Sequence, residues 1–229
     1  METPNLKTCL DFLSTLKKNN NREWFNGNKP VYMAAHEQLI LFADQLLEKM
    51  NTHDSIETPS GKKSLFRIYR DVRFSKDKTP YQTHFSGGFR RATHLRRGGY
   101  YFRIQPGNSL IAGGFWGPSS DDLKHIRSQI AQDDAPLREL LADKKFKSYF
   151  GNLEGEKVKT APKGFTKDDP AIDLIRHKQF LLVHSFQDDE IIKSDFAKKV
   201  DQGFRNMRPF FDHMSEMLTT DLNGTPLYQ

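Results

Sequence analysis

The sequence predicts an α+β fold, in which a central, mainly antiparallel sheet has N- and C-terminal helices packed against it. Apolar residues recur at helical spacing near both ends of the chain. The middle of the chain is instead rich in short aromatic and aliphatic runs, which are separated by turns that contain glycine. These turns are too short for parallel crossovers, so the strands are expected to pair antiparallel.

Three stretches define the predicted helical regions. Leucines at helical spacing predict a helix over residues 6–16, and Asn21 is placed to cap a short helical turn after it. A longer apolar stripe predicts a helix over residues 31–50. A third stripe covers residues 196–218, and Pro209 inside it is expected to break or kink that helix.

Five short segments are predicted strands: residues 65–69, 84–89, 100–105, 109–115 and 180–185. In the first of them, alternation would place Phe66 and Ile68 on one face and Arg67 on the other. We therefore expect Phe66 and Ile68 to pack against the helices.

Length and composition favour one soluble domain over residues 1–229. The chain has 36% hydrophobic residues, including 18 Phe, and shows no repeat or linker. No apolar run approaches the ~18 residues of a membrane helix, and no signal layout is visible, so a cytoplasmic protein with no membrane contact is expected. Cys9, the only cysteine, shares helical spacing with leucines and is expected in the core. The oligomeric state is not specified by the sequence.

Positive charge is concentrated in one block. The formal net charge is +6, but residues 62–103 hold 12 basic and 2 acidic residues, a net +10, which leaves −4 for the rest. Such a block attracts phosphates, nucleic acid or acidic proteins, or else forms a hydrated face.

Common catalytic and cofactor motifs are missing from the sequence. It contains no GxxxxGK[ST], GxGxxG, GxSxG or HExxH pattern. A lone cysteine also excludes a site with several cysteine ligands. We therefore expect no cofactor and no metal site.

The densest segment is FRIYRDVRFSKDKTPY, residues 66–81. Together with NNNREWF at 19–25, GGFWGP at 113–118 and PKGFTKDDPAIDLIRHKQFLLVH at 162–184, it resembles the pattern of the domain-of-unknown-function family 2461, an uncharacterised bacterial family. The resemblance spans about residues 6–218. It implies one intact domain and supplies no activity or catalytic residues.

Basic residues of this region are the candidate ligands for a phosphate or carboxylate group, because arginine offers a planar fork that matches both anions. The predicted ligand-binding residues are Arg67, Arg70, Arg73, Lys76 and Arg103. The alternative is that Arg67 and Arg70 form structural ion pairs with Asp71, Glu23 or C-terminal acids, while the lysines are solvated. His84 lies next to the segment and is a candidate general acid or base, or only a hydrogen-bonding residue.

Three classes of function remain open at this stage. The first is an enzyme or a binding protein that holds a small anionic ligand in a basic pocket. The second is a module for nucleic acid or an acidic partner, since the aromatics at 99–103 adjoin basic residues and could stack bases. We expect nucleic-acid binding to be weak near ~150 mM salt, because charges that face a pocket or are paired cannot release counterions. The third is a purely structural role.

Overall fold

The computed structural model describes residues 2–228, which form ten helices and four strands. The helices are α1 (Leu6–Lys18), α2 (Arg22–Gly27), α3 (Lys29–Met50), α4 (Gly61–Ser64), α5 (Ser120–Gln132), α6 (Ala135–Ala142), α7 (Lys144–Phe150), α8 (Ile172–Ile175), α9 (Asp188–Ile191) and α10 (Phe196–Thr219). The strands are β1 (Phe85–Arg90), β2 (Gly99–Ile104), β3 (Ser109–Phe115) and β4 (Phe180–Phe186).

The four strands form one antiparallel sheet in the order β1-β2-β3-β4, which confirms the predicted α+β class. Four of the five predicted strands match observed ones within one residue at either end. The three predicted helical regions correspond to α1, α3 and α10. Asn21 caps α2 as expected, because its side-chain oxygen accepts a hydrogen bond from the Trp24 backbone N–H.

Residue contacts divide the chain into two compact units. Unit 1 comprises the chain up to Arg90, Tyr101–Ile111 and Ser185–Gly203. Unit 2 comprises Arg91–Tyr100, Ala112–His184 and the chain from Phe204 onward. A single domain over residues 1–229 stays a prediction.

The core of unit 1 is built on α1 and α3. Phe42 of α3 lies with its ring centroid 5.4 Å from that of Phe102 and 5.5 Å from that of Phe196, and all three rings are buried. Cys9 is fully buried, and its Sγ donates to the Ala35 carbonyl at 3.1 Å. Burial raises the pKa of this thiol to about 12. The prediction that Cys9 is a core residue is confirmed.

The core of unit 2 contains the aromatic side of α10. Tyr100 packs against Phe204 and Phe211, with ring centroids 4.9 and 4.8 Å apart. Pro209 does not break the helix, because α10 continues through it, whereas the predicted kink stays a prediction. Pro209 lies on the exposed side of the helix, while the buried Phe210 and Phe211 beside it hold the helix in place.

The prediction of a strand over residues 65–69 is wrong. Leu65 forms an isolated bridge with Gly87 of β1, and Tyr69 forms one with Tyr81. Because the segment changes partner within four residues, no continuous ladder of hydrogen bonds develops. Strand alternation fails with it: Ile68 is buried, with 3% of its surface exposed, whereas 58% of Phe66 is exposed.

Within residues 2–228, no helix is both long enough and apolar enough to cross a membrane.

Candidate functional site

Residues 66–81 form a loop that begins beside the edge strand β1, and its two ends are hydrogen-bonded to each other. The Arg70 backbone N–H donates to the Pro80 carbonyl at 2.9 Å, and that of Gln82 donates to the Ile68 carbonyl at 2.7 Å. These bonds pair the two ends of the loop, so residues 71–79 project from a closed base.

The side chain of Arg70 fastens the base of this loop. Its Nη1 donates to a carboxylate oxygen of Asp77 at 2.5 Å and to both the carbonyl and the hydroxyl of Thr79. Asp77 also accepts a hydrogen bond from the Thr79 backbone N–H at 2.9 Å. The Thr79 backbone N–H, then the Arg70 guanidinium, hold the pKa of Asp77 at about 2. Arg70 is thereby held in one orientation.

Arg73 and Lys78 are also used inside the loop. The Arg73 guanidinium forms a bidentate ion pair with the Asp71 carboxylate, with Nη2 2.7 Å from Oδ2 and Nε 3.0 Å from Oδ1. The hydrogen bond from the Arg73 side chain is the main cause that lowers the pKa of Asp71. The Lys78 ammonium donates to the Val72 carbonyl at 3.0 Å. Arg73 therefore forms a solvent-exposed ion pair, and its role as an anion ligand stays a prediction.

Helix α2 joins the loop through Asn20 and Phe25. The Asn20 carboxamide makes two bonds to the Tyr81 backbone: its Nδ2 donates to the carbonyl at 2.9 Å, and its Oδ1 accepts from the N–H at 3.1 Å. Phe25 stacks on the Tyr81 ring, with centroids 4.0 Å apart and planes 13° apart. Two of the motifs noted in the sequence, NNNREWF and FRIYRDVRFSKDKTPY, thus lie against each other in unit 1.

A cleft opens at this junction, and we call it the anion cleft. Its volume is about 290 Å³, and a neighbouring hollow of about 520 Å³ shares Arg22, Val72 and Pro80 with it. The anion cleft is lined by Arg22, Asn26, Tyr69, Arg70, Val72, Pro80 and Tyr81. None of these lining residues is acidic.

Arg22 is the free cation of the anion cleft. Its side chain is exposed, and within residues 2–228 its guanidinium has neither a hydrogen bond nor an ion pair. Arg70, by contrast, donates through Nη1 only, so its Nε and Nη2 have no hydrogen-bond acceptor among those same residues. Two guanidinium groups therefore offer unused donors to one cleft.

Tyr69 and Tyr81 line the same cleft as these two arginines. Tyr81 is 3% exposed, and burial, followed by the nearby Tyr69, raises its pKa, while Arg22 acts in the opposite direction. Burial and Tyr69 likewise raise the pKa of Tyr32. A raised pKa keeps a phenol protonated near neutral pH, so Tyr81 can donate a hydrogen bond to an anion.

Of the predicted site residues, only Arg70 lines the anion cleft. Arg67 and Lys76 are exposed, with no ion pair among residues 2–228. Arg103 donates to the Asn108 carbonyl at 3.1 Å and to its side-chain oxygen at 2.8 Å. His84 is half-buried, and burial, followed by Arg103, lowers its pKa, so it is neutral at pH 7. Their roles as anion ligands, and the catalytic role of His84, stay predictions.

Much of the basic block is engaged in ion pairs. At least five of its 12 basic residues are paired with acids: Arg70 with Asp77, Arg73 with Asp71, Arg90 with Glu57, Arg91 with Asp212, and Arg97 with Asp122. The first three pairs lie in unit 1 and the last two in unit 2. The block is therefore divided between the units, and its net charge of +10 overstates the charge available to one ligand.

Sequence reasoning missed Arg22, Tyr69 and Tyr81. From the sequence, the only role assigned near Arg22 is the cap that Asn21 provides for a short helical turn. The signal that could have identified Arg22 is its position inside NNNREWF, one of the four motifs that carry the family resemblance. Among residues 2–228, no three His, Cys, Asp or Glu side chains form a group that could hold a metal ion.

Comparison with known proteins gives the class first. The model of a family described as "Conserved hypothetical protein (DUF2461)" matches residues 8–213. Most of the chain is covered, so this protein belongs to the DUF2461 family. No curated protein and no solved structure matches the chain.

Proposed function

We propose that this protein binds a small ligand through a phosphate or carboxylate group in the anion cleft. The observation that supports the proposal most directly is the uncompensated Arg22 guanidinium in a cleft without an acidic lining residue. A cation placed this way favours an anion, because no carboxylate competes for it.

The lining supplies both charge and shape. Arg22 and Arg70 can each present two parallel N–H groups to an anion, and Arg70 is already oriented by Asp77 and Thr79, which reduces the entropy lost on binding. The Tyr81 hydroxyl adds a neutral donor. Val72 and Pro80 form an apolar wall for the uncharged part of the ligand. The lining contains no carboxylate, histidine or cysteine, so the proposal is binding rather than catalysis.

Phosphate should stabilise the folded protein more than chloride does at matched ionic strength, because a ligand selective for the folded state acts by mass action. With 10 mM phosphate and a Kd of about 1 mM, the gain is about 1.4 kcal/mol. For a chain of this size, that corresponds to a rise in Tm of about 3–6 °C. Thermal unfolding of the parent in the two salts measures this rise in Tm. Sulfate is a second probe, although it also stabilises proteins generally because it is excluded from their surface.

Variants separate cleft binding from general salt effects. Arg22→Gln should lose the phosphate-specific rise. Arg90→Gln is the matched control, because Arg90 is an exposed arginine of unit 1 that is paired with Glu57 and does not line the cleft. The double variant Arg67→Ala with Arg73→Ala tests the residues predicted from sequence. Equal rises in the parent and in Arg22→Gln would refute the cleft, and a loss only in the double variant would move the site to those two residues.

A further inference from the structure

A second surface of unit 1 lies on the solvent side of β2. Along this strand, Tyr100, Phe102 and Ile104 are buried, whereas Tyr101 and Arg103 alternate with them and are half-exposed. Because successive side chains of a strand point to opposite faces, Tyr101 and Arg103 share the face that is turned away from the core. One aromatic ring and one cation are thus presented side by side.

Phe66 joins this face from the adjacent loop. Its backbone N–H donates to the Ser86 carbonyl of β1 at 2.9 Å, and its ring centroid lies 6.3 Å from that of Tyr101, with the planes tilted by 33°. Gly87 of β1 faces the buried Phe102 ring, so Ser86 and Gly88 lie on the opposite face. These small residues leave room for the Phe66 ring to reach across β1 towards Tyr101. We call Phe66, Tyr101 and Arg103 the aromatic patch.

The charge around the aromatic patch is positive. Arg67 follows Phe66 directly and has no ion pair within residues 2–228. Arg103 donates only to uncharged oxygens of Asn108, so its charge is not neutralised. The nearest acid in sequence is Asp71, which pairs with Arg73 and interacts more weakly with Arg67.

We infer that the aromatic patch binds single-stranded nucleic acid, with bases stacked on Phe66 and Tyr101 and backbone phosphates next to Arg67 and Arg103. Exposed aromatic rings beside uncompensated cations are the arrangement that single strands use, because every base has a π-face. Base pairs in a duplex are already stacked and cannot occupy the rings, so a duplex should bind less well. None of these residues lines the anion cleft, and the inference does not depend on it.

The probes are fluorescent oligothymidylate and oligouridylate of about 12 nucleotides, measured by anisotropy at about 50 mM salt. Micromolar binding that weakens only about fivefold between about 50 and 150 mM salt is expected, because two phosphate contacts give a slope of about −1.4. Phe66→Ala should weaken binding about tenfold, because it removes the ring on which one base stacks. Arg67→Ala should reduce the slope of log K against log salt by about 0.7 per lost phosphate contact.

Tyr101 offers a test that does not depend on loss of fold. Tyr101→Phe keeps the ring and should bind like the parent, whereas Tyr101→Leu keeps apolar cover without a π-face and should bind about tenfold more weakly. The Tm of each variant verifies that it is folded. Arg22→Gln is the matched control for the anion cleft and should leave oligonucleotide binding unchanged.

Four results would overturn the inference. One is no binding by the parent at about 50 mM salt. Another is unchanged affinity in both Phe66→Ala and Tyr101→Leu. The third is loss of binding in Arg22→Gln alone, which would place the oligonucleotide in the anion cleft. The last is preference for duplex DNA, or for vesicles containing phosphatidylserine, over the single strand, which would identify an electrostatic or membrane surface.

Discussion

Asn20 connects α2 to the loop of residues 66–81, and its removal should loosen both the fold of unit 1 and the anion cleft. Its carboxamide satisfies the backbone N–H and the backbone carbonyl of Tyr81, a residue 61 positions away. The same junction contains the stacked rings of Phe25 and Tyr81. Asn20→Ala removes both hydrogen bonds and leaves the two Tyr81 groups without their partner.

The expected loss of stability follows from the backbone N–H and carbonyl of Tyr81, which both lose their hydrogen-bond partner. A buried donor or acceptor that loses its partner costs about 1–3 kcal/mol. Asn20 is half-buried, so water can reach part of the site, and we expect a total loss of about 2–3 kcal/mol in the free energy of unfolding. That is a sizeable part of the ~5–15 kcal/mol that stabilises a typical protein. In thermal unfolding it corresponds to a Tm lower by about 4–12 °C.

Denaturant unfolding of three variants measures this effect. Asn20→Asp is nearly isosteric and keeps the acceptor for the Tyr81 N–H, but it places a carboxylate oxygen opposite the Tyr81 carbonyl, so it should lose at least as much as Asn20→Ala. Asn19→Ala is the matched control, because within residues 2–228 the Asn19 side chain donates only to the Thr15 carbonyl of α1. The role assigned to Asn20 is refuted if Asn20→Ala lies within about 0.5 kcal/mol of the control, the ordinary range of surface substitutions.

Three further predictions concern stability. Ile68→Ala should lower the free energy of unfolding by roughly 2–5 kcal/mol, because Ile68 is buried. Phe66→Ala should lower it by less than about 1 kcal/mol, because that ring is mostly exposed. Parallel denaturant curves test this, and equal losses would contradict it. Gly114→Ala should lower the free energy of unfolding by at least about 2 kcal/mol. Gly114 has a φ of +137°, and a Cβ there would lie 2.1 Å from the Phe180 carbonyl oxygen. An unchanged free energy of unfolding in this variant would contradict the prediction. Burial lowers the pKa of His177 to about 4 in the folded protein. As pH falls, His177 is therefore protonated in the unfolded chain first, and the free energy of unfolding should drop by roughly 3 kcal/mol between about pH 6.5 and 4. His177→Gln should flatten that part of the pH profile, and an unchanged slope would show that other groups cause it.

The sequence alone determined the α+β class, the three main helical regions and four of the strands. These elements depend on local spacing: apolar residues every three or four positions bury one side of a helix, and short apolar runs between glycine turns form neighbouring strands. Cys9 and the capping role of Asn21 were also predictable, because both depend on residues within a few positions. The family resemblance, carried by long motifs, identified the family correctly.

Only the tertiary structure decided what the arginines do. Arg67, Arg70 and Arg73 have the same spacing, yet Arg70 is held by Asp77 and Thr79, Arg73 grips Asp71, and Arg67 is left without an ion pair among residues 2–228. Side-chain pairing depends on where a loop turns, and the loop turns where Tyr69 pairs with Tyr81 rather than continuing along β1. The same turn exposes Phe66 and buries Ile68, contrary to the alternation expected of a strand.

The anion cleft was hidden from sequence for a related reason. It requires Arg22 and Tyr81 to meet, and the two residues are 59 positions apart. No local pattern specifies that distance; the Asn20 carboxamide and the ring of Phe25 bring the two segments together. Local chemistry therefore fixed which elements form, while the long-range contacts between their side chains decided which cations are left available to a ligand.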